Sequence, residues 1–299
     1  MNPGAIFRSL VNAPELLMLP VAHDGLSALA IAQAGFKALA VAGFGSSGSV
    51  LGLPDFGLMS STEMITHYAH IIERVEIPVL VDIDTGFGDV NNVIRTVRQV
   101  EAMGAAALFI EDQTFPKRCG HMSGKAVVSV DDYLPKLKAA LWARRNPDFV
   151  IMARTDAVAL HGLDEGIRRA RIYAEAGADM VFVEAVTSIE DMRTVNSALS
   201  VPSMANMIEG GKSPFLSAAE LQDVGYTLAA YPCASVFTAV RALQRWAQHL
   251  KQHGTSQGFA GPETMLNFDE YFRFIGAEDI RRREALFSGG APLDGDAIK

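Results

Sequence analysis

The chain has 299 residues, 49% of them apolar and 20% charged, and a formal net charge of −8. Such a chain can bury one large barrel core or two ordinary ones, and it is too apolar to be disordered. The acidic balance without a Lys/Arg block argues against a nucleic-acid or anionic-membrane partner, no apolar run reaches the roughly 18 residues of a membrane span, and two cysteines with no secretory-type leader point to the cytoplasm rather than to a disulfide framework.

In chain order, short runs rich in Val, Ile, Leu and Ala recur at 17–21, 38–42, 78–84, 107–111, 149–154, 180–184, 202–207 and 227–231. Continuous apolar runs of this length read as strands of a parallel sheet buried on both faces. Amphipathic segments of helical period fall between many of them, at 27–35, 61–75, 90–103, 163–176 and 218–224, and Gly35, Gly104, Gly177 and Gly225 stand where helices stop. Eight strands in about 230 residues predict a (β/α)8 TIM barrel rather than an open doubly wound sheet, and no GxGxxG follows the first strand. No linker interrupts the chain, so residues 1–299 read as one domain. From residue 254 onward two helical patterns, 266–274 and 277–287, lack a following strand, and 254–299 is expected to form a C-terminal helical arm packed on its own barrel or on a neighbouring subunit.

The polar residues gather where the strands end. Asp24 follows the first, Asp82 and Asp84 end the third, Glu111 and Asp112 the fourth, Arg154 and Asp156 the fifth, Glu184 the sixth and Asn206 the seventh. In a barrel these ends converge on the one mouth where active sites are built. A single carboxylate at such a place is as often a helix cap, but seven at one rim would repel one another unless something neutralised them. Asp82 and Asp84, two apart, are expected on the same side of a regular strand. With Glu111 they make a hard-oxygen set suited to Mg²⁺ or Mn²⁺, and no zinc spacing of His and Cys is present. The alternative is that one Asp braces a loop and the other pairs with Arg154.

Directly after the fourth strand runs a polar, glycine-punctuated segment that ends in Lys117-Arg-Cys-Gly-His-Met-Ser-Gly-Lys125. It reads as a loop over the barrel mouth, with Gly120 and Gly124 giving it freedom to close as a lid. Lys117, Arg118, His121 and Lys125 surround Cys119 in sequence. Positive neighbours lower a thiol pKa, which makes Cys119 a candidate proton donor/acceptor or nucleophile. Cys233, in an apolar run, reads as structural.

Taken together, Val81-Asp-Ile-Asp-Thr-Gly-Phe-Gly88, Ile110-Glu-Asp-Gln113, Lys117-Arg-Cys-Gly-His121, Ala153-Arg-Thr-Asp156, Phe182-Val-Glu184 and Ala205-Asn-Met-Ile-Glu-Gly-Gly-Lys212 resemble the isocitrate lyase / phosphoenolpyruvate mutase superfamily. The likeness runs from about residue 8 to 290. The cysteine loop marks its carbon–carbon lyase branch, and His121-Met-Ser-Gly-Lys125 is most similar to the 2,3-dimethylmalate lyase and petal-death-protein group, with 2-methylisocitrate lyases nearby. The resemblance implies a barrel whose last helix swaps within a dimer, two dimers forming a homotetramer. It implies Mg²⁺ (or Mn²⁺) near Asp82, Asp84, Asp55 and Glu111. Catalysis would fall to Cys119 and Arg154 with Glu111, His121 and Lys117, and a small dicarboxylate would be bound by Gly43, Phe44, Arg154, Glu184, Asn206 and Arg241. The implied reaction is cleavage of a 2-hydroxy dicarboxylate, a 2-alkylmalate or something like methylisocitrate, to a 2-oxo acid such as pyruvate plus a carboxylate.

The second strand departs from the family pattern. Ala40 stands where relatives carry Tyr, Ala42 where they carry Ser or Thr, and Phe44 where they carry Tyr or Gly. Loss of those hydroxyls makes the pocket more apolar and leaves open which group takes the substrate's hydroxyl proton. Pro232 stands where the oxaloacetate-hydrolysing branch carries serine. Three other functions compete: a carboxyphosphonoenolpyruvate mutase-like phosphonate enzyme, an oxaloacetate hydrolase or decarboxylase, and a non-catalytic diacid-binding barrel. Cys119 favours the lyase over the first, Pro232 over the second, and the intact set Asp82, Asp84, Glu111, Cys119 and Arg154 over the third.

Overall fold

The computed structural model describes residues 2–288. All eight expected strands form: β1 Leu17–Ala22, β2 Leu39–Val41, β3 Val79–Asp82, β4 Ala107–Glu111, β5 Val150–Thr155, β6 Met180–Val183, β7 Met204–Asn206 and β8 Leu228–Tyr231. Every pairing is parallel, in the order β6-β5-β4-β3-β2-β1-β8-β7. Between β6 and β7 a single bridge, Val181 to Ser203, completes the circle, so the barrel is nearly closed.

Alternation along each strand sorts the side chains. Leu19, Ala40, Leu80, Phe109, Met152, Phe182, Met204 and Ala230 pack into one interior cluster, joined by Phe7 and Val11 from the N-terminal helix Pro3–Val11. Their neighbours Leu39, Val41, Val81, Leu108, Ile110 and Ile151 point outward and pack with Val93, Val97, Tyr133 and Leu137 of the surrounding helices. Both faces are therefore buried, which is why the strands read as unbroken apolar runs.

The helices expected between strands are present, each within about three residues of its expected bounds, including Ser61–Ile72, Val90–Ala102, Leu163–Glu175 and Ala218–Asp223. Asp24 proves to be the N-cap of helix Gly25–Gln33: its carboxylate accepts from the Ser27 amide at 2.7 Å and Ser27 reciprocates. Helices Val130–Ala143 and Ile189–Ser197 complete the ring and were not expected.

The chain divides into two compact units, Met1–Phe237 and Thr238–Lys299. The first holds the barrel. Helix Ala234–His253 starts in the first and continues through the second, and none of its residues is fully buried. Within the second unit Trp246 donates to Ser256 Oγ at 3.1 Å, and helices Phe268–Phe274 and Ala277–Ser288 follow, where the arm's two helical patterns lie. Residues 289–299 of the expected arm lie outside the described residues. Among the described residues no helix is long and apolar enough to cross a membrane.

Candidate active site

The strand ends meet at one mouth and line a cavity there. Its floor is apolar, made by Val21, Ala40, Leu80, Phe109, Phe182, Met204 and Ala230, and its wall is polar, made by Asp55, Asp82, Lys117, Cys119, Arg154, Glu184 and Asn206.

On one side the chain leaves β3 sharply. The strand stops at Asp82, and Asp84 sits at φ 48°, so strand alternation does not place these two carboxylates as expected. A tight turn does so instead. Asp82 Oδ1 accepts from the Asp84 amide at 2.8 Å and Oδ2 from the Gly43 amide at 3.2 Å. The buried ammonium of Lys117 lies 2.7 Å from Asp55 Oδ2 and 2.8 Å from Asp84 Oδ1. Position 43 has to be glycine for this, because a Cβ there would stand 2.9 Å from Lys117 Nζ and 3.2 Å from Asp55 Oδ1. Asp84 thus pairs with a lysine rather than with Arg154. Burial pushes the Asp84 carboxyl up to about 7, with Lys117 opposing and Asp82 and Asp55 adding to the rise. Burial also works against the charge of Lys117, yet Asp84, Asp55, Asp82 and Glu111 together hold it well above the ordinary lysine range.

On the other side Arg154, projecting from β5, is clamped. Its Nε donates to Asp156 Oδ2 at 2.9 Å and its Nη2 to Asp156 Oδ1 at 3.2 Å, and Nη2 lies 3.2 Å from Glu184 Oε2. The guanidinium also lies over Phe182, 5.0 Å from the ring centroid. Glu184 accepts from Asn206 Nδ2 at 2.9 Å and lies 3.0 Å from His121 Nε2. Burial alone would raise Glu184, but Arg154 and His121 hold it below the usual carboxylate range. Asp156 is likewise drawn down to about 2, against its burial, by Arg154 and Lys125. Between the two sides stands Glu111, 3.3 Å from Arg154 Nε and pushed well up by burial. Both its oxygens are buried without a hydrogen-bond partner. Among the described residues, no three His, Cys, Asp or Glu side chains converge as a ready-made ligand set.

The loop after β4 covers the mouth. Gln113 brackets the Arg118 peptide from both sides at 2.9 and 3.0 Å, and the Cys119 amide donates to Asp55 O at 3.2 Å. His121 Nδ1 accepts from the Lys212 amide at 2.9 Å. Gly120 lies so close to the clamp that a Cβ would stand 2.5 Å from Arg154 Nη2 and 2.6 Å from Glu184 Oε2. Only glycine allows this approach.

Cys119 corrects one expectation. Burial raises its thiol above the ordinary value, the His121 amide pulling weakly the other way, so the group keeps its proton at neutral pH. The basic neighbours in sequence point elsewhere. Lys117 is bound to Asp55 and Asp84, Lys125 to Asp156, and Arg118 lies over Phe56 at 5.4 Å. A neutral, half-buried thiol is suited to giving a proton rather than to attacking as a thiolate.

Of the residues singled out in sequence, Asp55, Asp82, Lys117, Cys119, Arg154, Glu184, Asn206 and Phe44 line the cavity. Asp84, Glu111, His121 and Gly43 touch that wall through the contacts above. Arg241 belongs to the second unit and is exposed. Asp112, read as part of the rim, is a structural brace that accepts from Thr155, Arg169 and Tyr173 at 2.8 to 3.0 Å. Cys233, read as structural, lines the cavity along with Ile208. Only position after a strand end signalled them. The role of Lys125 had no signal, because its partner Asp156 is 31 residues away.

An eight-stranded parallel barrel with acid/base groups, a clamped arginine and a thiol-bearing loop at its C-terminal mouth defines an α/β-barrel enzyme. Residues 7–251 match the family described as phosphoenolpyruvate phosphomutase, and the chain belongs to that family. It is 42% identical over 290 residues to the 2,3-dimethylmalate lyase of Eubacterium barkeri, spanning 97% of this chain and 100% of that protein. It is 37% identical over 287 residues to the 2-methylisocitrate lyase of Aeropyrum pernix, spanning 96% and 92%. Among solved structures, oxaloacetate acetylhydrolase bound to 3,3-difluorooxalacetate superposes with a TM-score of 0.90 at 33% identity, over 97% of this chain and 99% of that one. By this kinship the chain is a carbon–carbon lyase.

Proposed function

We propose that the chain is a Mg²⁺-dependent lyase that cleaves a 2-hydroxy dicarboxylate of the 2-alkylmalate or methylisocitrate type to a 2-oxo acid and a carboxylate. The observation that carries the reading is Cys119, a protonated, half-buried thiol on the loop over the mouth that shares one cavity with Arg154 and Asn206.

Arg154 and Asn206 bind one substrate carboxylate, and Glu184, with His121, holds both of them in place. Transfer of the hydroxyl proton to Glu111, whose carboxylate oxygens have no hydrogen-bond partner, lets the C2–C3 bond break. Its electron pair passes to C3, the hydroxyl oxygen becomes the keto oxygen of the oxo acid, and Cys119 gives its proton to C3. The charge that grows on the leaving carboxylate is met by Arg154, which interacts more strongly as that charge develops. The loop keeps water from protonating the carbanion and from screening these charges.

The donor chemistry fits an oxygen-ligated dication. Six buried carboxylates (Asp55, Asp82, Asp84, Glu111, Asp156, Glu184) face three buried cations (Lys117, Lys125, Arg154), and Glu111 keeps oxygens with no hydrogen-bond partner. Asp82, Asp84, Asp55 and Glu111 would hold such an ion, directly or through water. When bound, it supplies Lewis-acid stabilisation of the alkoxide and keto oxygen.

Ala40, Ala42 and Phe44 leave the floor without hydroxyls, which favours substrates carrying an alkyl group. A second copy of the chain is assigned to the exposed apolar residues of helix Ala234–His253, giving a helix-swapped dimer and a tetramer in the cytoplasm.

The test is a substrate panel with Mg²⁺: 2-alkylmalates, 2-methylisocitrate, oxaloacetate and a phosphonate, with pyruvate release coupled to lactate dehydrogenase. Cleavage of one or more hydroxy diacids is expected. Turnover of only oxaloacetate or only the phosphonate would overturn the reading.

A further inference from the structure

The loop that carries Cys119 is held down by a pair that the proposed chemistry does not use. Lys125 is buried, and its ammonium donates to Asp156 Oδ1 at 2.8 Å and to the carbonyl of Gly120. Gly120 is the residue after Cys119 and rests against Arg154 and Glu184. Asp156 is fully buried, and the same Oδ1 also accepts from Arg154 Nη2 at 3.2 Å.

Asp156 is in turn fixed from behind. Its amide donates to Asp112 Oδ1 at 3.0 Å, and Asp112 Oδ2 accepts from Arg169 at 3.0 Å and Tyr173 at 2.9 Å on helix Leu163–Glu175. Arg169 also donates to Val128 O at 2.8 Å, just past the loop's far end. The acceptor for the loop's lysine is therefore anchored to the barrel wall, while Lys125 itself travels with the loop. Breaking one partner of a buried pair strands the other, so the pair favours a single closed position.

We propose that Lys125 is the latch of the Cys119 loop and that Asp156 is a positioning residue shared between that latch and Arg154. Closure places Gly120 O on Lys125 and Lys125 on the oxygen that already orients the guanidinium. The thiol and the carboxylate-binding arginine are thereby set by one acceptor. Gly120 and Gly124 supply the freedom for the movement, and the Lys125–Asp156 pair supplies the preferred end point.

The latch depends on the lyase reading only for its effect on turnover, so the test has a readout that stands without it: the rate at which iodoacetamide alkylates Cys119, followed on its own peptide, with the thermal midpoint of each variant as the control for global unfolding. In Lys125→Met and in Asp156→Asn, Cys119 is expected to label about tenfold faster or more, as a loop freed to open does, with cooperative unfolding retained. For a substrate found in the panel, kcat should fall in Lys125→Met with a smaller change in KM, and Lys125→Arg should recover part of it. Wild-type labelling of Cys119 in either folded variant would overturn the latch. So would loss of cooperative unfolding in both variants, since the pair would then be a brace of the barrel and not of the loop. Faster labelling alongside a panel with no diacid cleavage would keep the latch and discard the lyase.

Discussion

Cys119 was legible in sequence by place but not by charge. It stands after a strand end in a polar loop, which put it at the mouth. Its basic neighbours in the chain suggested a depressed pKa, yet each of them is taken by a carboxylate or an aromatic ring across the fold. Burial then decides, and the thiol is raised. A donor whose pKa is raised is competent at neutral pH and fails only as pH climbs through that raised value. Activity should therefore show an alkaline limb lying above the ordinary thiol range, and no loss from thiol ionisation near pH 8. Cys119→Ser should lower kcat by about a hundredfold or more, in the range of a lost general acid, with KM little changed. An unaltered kcat, or an alkaline limb near pH 7, measured by steady-state kinetics, would take Cys119 out of the reaction. Asp84 gives the companion lesson. Its spacing from Asp82 was right for a strand face, but φ 48° turns the backbone first, and a left-handed residue of that kind leaves no mark in hydrophobic pattern.

At the scale of elements the strands were the clearest signal. β4 and β8 are apolar on both faces, and their runs end on charge or on an aromatic at the mouth. Helices were less legible where the period is broken. Val130–Ala143 contains Pro135, and only the Ser129 cap, accepting from the Asp132 amide at 3.1 Å, announces it. Helix Ala234–His253 has an amphipathic pattern of its own, yet no residue of it is buried. It leaves Phe237, Val240 and Leu243 between 47% and 62% exposed, at spacings of three that fall on one face. Exposed apolar rows of this kind mark an interaction surface. The proposed occupant is a second copy of the chain, so Val240→Glu together with Leu243→Glu should reduce the particle from a tetramer to smaller species in light scattering after size exclusion. A wild-type chain that already runs as a monomer would remove that occupant.

For the whole molecule the governing quantity is charge. The six carboxylates and three cations at the mouth leave an excess of three negative charges when all are ionised. Buried like charges of this sort are tolerated only by protonation or by a counter-ion, and burial raises Asp84 to about 7 and Glu111 well beyond its usual range. The sequence displayed the carboxylates at successive strand ends and therefore the excess; which of them would be braced by backbone amides, and which left orphaned, depended on turns and on Lys117 reaching back across the mouth.

The most direct measurement follows the metal. Protein stripped with a chelator and titrated with Mg²⁺ should gain both thermal midpoint and cleavage of a 2-hydroxy diacid over the same concentration range. The midpoint should rise by about 5 °C or more once the ion is well above its dissociation constant. Full cleavage in excess chelator, with no change in midpoint on adding Mg²⁺ or Mn²⁺, would contradict the account.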